Sequence, residues 1–186
     1  TCGEGGMVTT DNGALAERLR LLRNHGARRA ASGIMEFVEP GFNYRLSEVP
    51  AILGLSQMQR FDRILEDRQR TAGRYGEALR GIPGVWVPNT PPNTVWSYQS
   101  YVVVLDESLD RNEVIARMDA EGIETTIGTY ACHQHAAFSK WIPEGGDLPN
   151  SARFANHSLT LPLVPHMDSS EVERVVESLS VILRSL

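Results

Sequence analysis

From Ser47 to Leu79 the apolar residues Val49, Ile52, Leu53, Phe61, Ile64, Leu65, Ala72, Tyr75 and Leu79 recur in steps that are mostly three, four or their sums. That period belongs to a helix with an apolar stripe. One helix over 47–81 would be about 50 Å long, at roughly 1.5 Å per residue. An element of that length links two bodies. The expected organisation is therefore residues 1–46 as the end of one domain, 47–81 as a long linking helix, and 82–186 as a small domain.

The stretch Gly41-Phe42-Asn43-Tyr44-Arg45-Leu46-Ser47-Glu48 opens that helix. Ser47 is a good N-cap, because its hydroxyl can accept from a free backbone N–H of the first turn. Glu48 complements the positive end of the helix dipole. Pro50 falls in the first turn, where no intrahelical N–H bond is lost. Asn43, Tyr44 and Arg45 stand just upstream, so polar donors sit beside a helix N-terminus. Such a place suits an anion, most often a phosphate. On spacing alone the same residues also read as a turn fixed by Asn43, with Arg45 paired to Glu48 or Glu39.

Composition narrows the class. A chain of 186 residues with 41% hydrophobic and 22% charged residues reads as an ordinary globular protein. Its net charge of −5 argues against nucleic acid or an anionic membrane as main partner. No apolar run approaches the roughly 18 residues of a membrane span, and no signal-peptide pattern opens the chain. Cys2 and Cys132 have neither metal-ligand spacing nor a disulfide framework, which fits a reducing cytoplasm. Lys140 is the sole lysine, so arginine carries nearly all the positive charge.

Upstream of the helix, Met7 to Thr10 reads as a strand and Ala14 to Asn24 as a helix stopped by Gly26. Ala27 to Pro40 reads as a long loop. Downstream, Val85 to Val87 and Val95 to Leu105 read as strands. Asp110 caps a helix, with Glu113 at capping-box spacing and Gly122 as its stop. Ile123 to Ile127 alternates as a strand, Lys140 to Pro149 is loop, and Ser151 to Asn156 is a short helix. Ser158 to Leu161 is a strand. Asp168 caps the last helix, with Glu171 again at capping-box spacing and a stripe of Val172, Val175, Val176, Leu179, Ile182, Leu183 and Leu186. The order strand–strand–helix–strand–strand–helix implies a compact α+β domain. Cys132, His133 and His135 lie close in sequence, but no acidic residue or further Cys completes a ligand set, and no metal is expected.

Four stretches, in order, resemble the DegT/DnrJ/StrS family of PLP-dependent sugar aminotransferases. They are Thr1-Cys2-Gly3-Glu4-Gly5-Gly6-Met7-Val8-Thr9-Thr10; Leu21-Leu22-Arg23-Asn24-His25-Gly26; Gly41 to Glu48 with Ala51 to Gln57; and Gly128-Thr129-Tyr130-Ala131-Cys132-His133 with Leu159 to Leu163. The resemblance covers the whole chain but only about the C-terminal half of a family member. It implies the C-terminal portion of an α/β PLP-dependent transferase of fold type I: the end of the large domain, the long linking helix and the small α+β domain. It implies pyridoxal 5′-phosphate as cofactor, and a cytoplasmic homodimer with shared active sites. It also implies transfer of an amine from an amino acid, usually glutamate, to the keto group of a nucleotide-linked sugar. Asn43 and Arg45 match cofactor-binding positions, with Asn43 reaching the phosphate held by the neighbouring subunit. Tyr130 and His133 match the small-domain signature near the substrate entrance, where Tyr130-Ala131-Cys132 departs from the usual Tyr-Pro. The Schiff-base lysine would precede Thr1, so the chain reads as a fragment without a catalytic residue of its own. Two alternatives stay open: a PLP-dependent sugar dehydrase of the same family, in which His replaces the lysine, and a non-catalytic binding or dimerisation module.

Overall fold

The computed structural model describes residues 1–142 and 146–186, in two compact units, Thr1–Phe61 and Asp62–Leu186. The boundary falls inside the span expected to be one linking helix. That span holds two helices, α2 (Glu48–Met58) and α3 (Phe61–Ala78). Gln59 and Arg60 form the turn between them. The Arg60 side chain donates Nε to the Ser56 carbonyl at 3.3 Å, satisfying an acceptor that the missing next turn leaves open. No Gly or Pro marks the break, and apolar steps of three and four residues stand on either side of it.

In the first unit α1 (Gly13–Leu22) starts at Asn12, whose side chain accepts from the Leu15 N–H. Met7 to Thr10, expected as a strand, is in no strand, with Met7 and Val8 exposed. A strand needs a ladder partner, and none stands beside it among the described residues. The expected loop over Ala27 to Pro40 is instead a hairpin of β1 (Ala27–Arg29) and β2 (Met35–Phe37), in register Ala27↔Phe37, Arg28↔Glu36 and Arg29↔Met35. Gly33, at φ 84°, supplies the left-handed residue of its turn.

The second unit is an antiparallel four-stranded sheet in the order β3 (Val85–Trp86), β4 (Tyr101–Leu105), β6 (Ser158–Leu161), β5 (Thr126–Ile127). Three helices, α3, α4 (Arg111–Ala120) and α6 (Ser169–Arg184), share its core. Tyr101, Val103 and Leu105 of β4 and Leu159 and Leu161 of β6 meet Tyr75, Leu79, Val114, Met118, Val172 and Leu179 there. The α+β architecture is the one expected. Three strands are shorter than expected, β3 by the single residue Val87. Val95 to Ser100 stays outside the sheet because side chains take its carbonyls: Gln69 Nε2 donates to Trp96, and Arg68 Nη1 donates to Tyr98 and Gln99 at 2.7 and 2.8 Å. Ile123 is held in the end of α4, where its N–H donates to the Met118 carbonyl at 2.9 Å. The short helix expected over Ser151 to Asn156 is α5 (Pro149–His157). Of the expected loop from Lys140 to Pro149, residues 143–145 lie outside the described residues, and Lys140 itself belongs to a 3₁₀ turn over Ala136–Trp141.

The caps differ in completeness. Asp168 and Glu171 form the full reciprocal box: the Glu171 N–H donates to Asp168 Oδ1 at 3.0 Å, and the Asp168 N–H donates to Glu171 Oε2 at 2.8 Å. At α4 only half the box forms. Asp110 accepts from Asn112 and Glu113 N–H, but the Glu113 carboxylate is taken by Arg117 Nε at 2.7 Å. The Glu171 N–H, and then the Ser170 hydroxyl, hold the Asp168 carboxyl below its ordinary value of 3.8. A depressed folded-state value means that this stabilisation is present above the ordinary value and fades as the pH falls through the folded-state value. Asp168→Ala is expected to lower the melting temperature at neutral pH, and the gap to the parent should close as melting curves are taken further into acid. A gap independent of pH would contradict this.

Candidate functional site

The first unit builds its site where the end of α1 crosses the stretch before α2. The Phe42 N–H donates to the Leu22 carbonyl at 2.8 Å, the His25 N–H to Phe42 at 2.9 Å, and the Tyr44 N–H to Arg23 at 2.9 Å. These bonds make an antiparallel bridge in which Asn24 stands opposite Asn43. The crossing is tight enough to demand two glycines. A Cβ at Gly26, where φ is +67°, would lie 1.7 Å from the Glu39 carbonyl oxygen, and one at Gly41 would lie 2.1 Å from the Gly26 nitrogen.

Pairing then sorts the side chains. Directly opposed residues of an antiparallel pair share a face, and alternate residues of one strand do too. Asn24, Asn43 and Arg45 therefore gather on one side. Arg45 Nε donates to Asn43 Oδ1 at 3.0 Å, and Arg45 Nη1 donates to Asn24 Oδ1 at 3.1 Å. Phe42 and Tyr44 take the other side and stack, with ring centroids 4.9 Å apart and planes 9° apart. Arg45 pairs with neither Glu48 nor Glu39; the Glu39 carboxylate accepts from Arg18 at 3.3 Å. Among the described residues, the positive charge of Arg45 is thus in contact only with neutral amides.

Ser47 is the N-cap of α2, but its hydroxyl makes no capping bond, contrary to expectation. The first turn of α2 is left without a side-chain acceptor, and Glu48 supplies the only acid there. The site offers amide NH2 groups, a guanidinium and the start of a helix. Such a donor set suits a phosphate-bearing ligand. Asn24 had no assigned role in the sequence reading. The signal that could have found it is the pair of glycines, Gly26 and Gly41, which marks a close backbone crossing.

In the second unit, Tyr130 is exposed and its ring contacts His135, with centroids 5.8 Å apart and planes tilted by 60°. His133 lies in a 3₁₀ turn (Cys132–Gln134), half-buried, with an Nδ1 that is buried and unpartnered. Upstream, Gly128 packs so closely on β6 that a Cβ there would meet Ser158 Oγ at 2.6 Å. The Lys140 ammonium sits 4.2 Å from the centre of the Trp141 ring. Among the described residues, no three His, Cys, Asp or Glu are placed to hold a metal ion, and no helix is long and apolar enough to cross a membrane.

The model of the DegT/DnrJ/EryC1/StrS aminotransferase family matches residues 1–180. The chain belongs to that family. Among its relatives is the spore coat polysaccharide biosynthesis protein SpsC of Bacillus subtilis, 32% identical over 98% of this chain and 50% of that protein. Another is the dTDP-3-amino-3,4,6-trideoxy-alpha-D-glucose transaminase of Streptomyces venezuelae, 33% identical over 95% of this chain and 45% of that protein. The crystal structure of the aminotransferase TlmJ from Streptoalloteichus hindustanus superposes with a TM-score of 0.85 at 29% identity, over 99% of this chain and 49% of that one. The chain thus spans about half the length of the relatives it matches. Its fold is the C-terminal portion of the α/β fold of PLP-dependent sugar aminotransferases.

Proposed function

We propose that this chain forms the C-terminal half of a PLP-dependent aminotransferase. The enzyme moves an amine from an amino acid, glutamate by preference, to the keto group of a nucleotide-linked sugar. The observation that carries the reading is the Asn24–Asn43–Arg45 cluster beside the uncapped start of α2. Family membership and the transaminase among the relatives support it.

The cluster fits the phosphate of pyridoxal 5′-phosphate. Asn43 Oδ1 accepts from Arg45, and its NH2 has no partner among the described residues. That NH2 is a neutral donor for a phosphate oxygen, with no full charge of its own to desolvate. Arg45 and the α2 dipole add positive potential. When bound, the cofactor supplies an electron sink for the transfer. On this reading its anchoring lysine belongs to the half of the enzyme that this chain does not include. Lys140, whose ammonium lies over the Trp141 ring, is not assigned that role on this reading. Tyr130 and His133 are the side chains we assign to the substrate entrance.

We place Asn43 across a homodimer interface. The α2 residues Val49, Ile52, Leu53, Leu55 and Met58 are each at least half exposed and lie around most of the helix, apolar surface that a partner subunit would help to cover. Free Cys2 and Cys132 accord with a reducing cytoplasm. In the holoenzyme, Asn43→Ala is expected to weaken PLP binding by about 1.5–3 kcal/mol, or roughly ten- to over a hundredfold. Titration of the apoenzyme with PLP, followed by absorbance, measures it. An Asn43 that only holds its turn would lower the melting temperature and leave PLP affinity unchanged. Mixed dimers test the interface: Asn43→Ala paired with a subunit lacking the anchoring lysine should keep about one working site per dimer, because both defects fall in the same site. Damage to both sites would refute the placement.

A further inference from the structure

We infer that Asn24 is a second anion donor at this site and that Arg45 is its positioning residue rather than a direct ligand of the anion. This rests on the phosphate-binding reading of Asn43. An asparagine amide has two ends that differ little in shape. Turned one way it donates to an anion; turned the other way its oxygen repels one. Asn43 is exposed and Asn24 half-buried, and beside Arg45 no side-chain partner among the described residues selects the orientation of either amide. Arg45 selects it. A guanidinium has donors and no acceptor, so it can bind only the oxygen end of an amide. Its Nε takes Asn43 Oδ1 at 3.0 Å and its Nη1 takes Asn24 Oδ1 at 3.1 Å. Both NH2 groups are thereby left as donors, and neither has a partner among the described residues.

The backbone sets their spacing in advance. Asn24 and Asn43 face each other across the bridge, and Gly26 and Gly41 hold the two segments at contact distance. Little ordering remains to be done when the anion arrives, which favours binding. The charge of Arg45 lies behind the amides, where it polarises them without having to shed its own hydrogen bonds. A lysine could not replace it, because an ammonium is a point charge and lacks the planar fork that spans two acceptors.

The test is made on the PLP-loaded holoenzyme, with two readouts: the dissociation constant for PLP, and the 31P resonance of the bound cofactor. Asn24→Leu and Arg45→Lys are each expected to weaken PLP binding by about ten- to a hundredfold and to shift the 31P resonance. The melting temperature of the apoprotein should stay near that of the parent. If Asn24→Leu does not fold, Asn24→Ala removes the NH2 without adding a charge and should show the same loss. Parent-like affinity in Arg45→Lys would mean that its charge alone matters and would overturn the positioning role. An unmoved 31P resonance and affinity in the Asn24 variants would overturn the second donor. Asn43→Ala separates the two levels. If it weakens binding and the Asn24 variants do not, only this inference fails; if it too has no effect, the phosphate site itself is lost.

Discussion

Gly26→Ala is expected to pull apart the crossing that carries the candidate site. The new methyl would sit 1.7 Å from the Glu39 carbonyl oxygen and 2.7 Å from the carbonyl carbon, both backbone atoms with no rotamer to yield. Overpacking costs about 1–3 kcal/mol, and the left-handed φ of +67° adds roughly 1–2 kcal/mol for a residue with a Cβ. The bonds from Phe42 to Leu22, from His25 to Phe42 and from Tyr44 to Arg23 would be the first lost. Hydrogen exchange at those three amides should therefore speed up by orders of magnitude, while Val103 and Leu159 in the other unit keep their protection. Gly41→Ala tests the same contact from the opposite side without a positive φ. If either variant retains slow exchange at Phe42, the contact is looser than described.

The second large effect is expected at Tyr75, which has no exposed surface. Its ring stacks on Tyr101 with centroids 4.9 Å apart, and its hydroxyl donates to the Pro162 carbonyl at 2.9 Å. Burial pushes its phenol above the ordinary value, so it remains a donor throughout the neutral and mildly alkaline range. Tyr75→Ala removes the ring from the centre of the second unit and should cost about 3–5 kcal/mol. Tyr75→Phe keeps the ring, removes the donor from Pro162, and should cost about 1–2 kcal/mol. Denaturant unfolding followed by far-UV circular dichroism would show a lower midpoint with little change in slope. Equal losses in the two variants would mean that the hydroxyl, not the ring, holds the core together.

Local chemistry is written in adjacent residues, so the sequence determined it. Asp168 and Glu171 specify their capping box three residues apart, and the stripe from Val172 to Ile182 specifies the face that α6 buries. Ser158 to Leu161 is a strand because its side chains alternate and its flanks stop it. The four family stretches, Asn43 and Arg45 among them, were legible for the same reason. Tertiary structure decided what depends on a distant partner. Met7 to Thr10 has strand residues but nothing to pair with, and Ala27 to Pro40 has little period yet closes into a hairpin. Val95 to Ser100 looks like a strand, but Arg68 and Gln69, about thirty residues upstream, claim its carbonyls. The break at Gln59 and Arg60 carries no Gly or Pro, so the three- and four-residue steps on either side read as one helix. Asn24 and Asn43 lie nineteen positions apart in the chain. Only the backbone crossing at Gly26 and Gly41 sets their amides side by side, and only there can one guanidinium orient both.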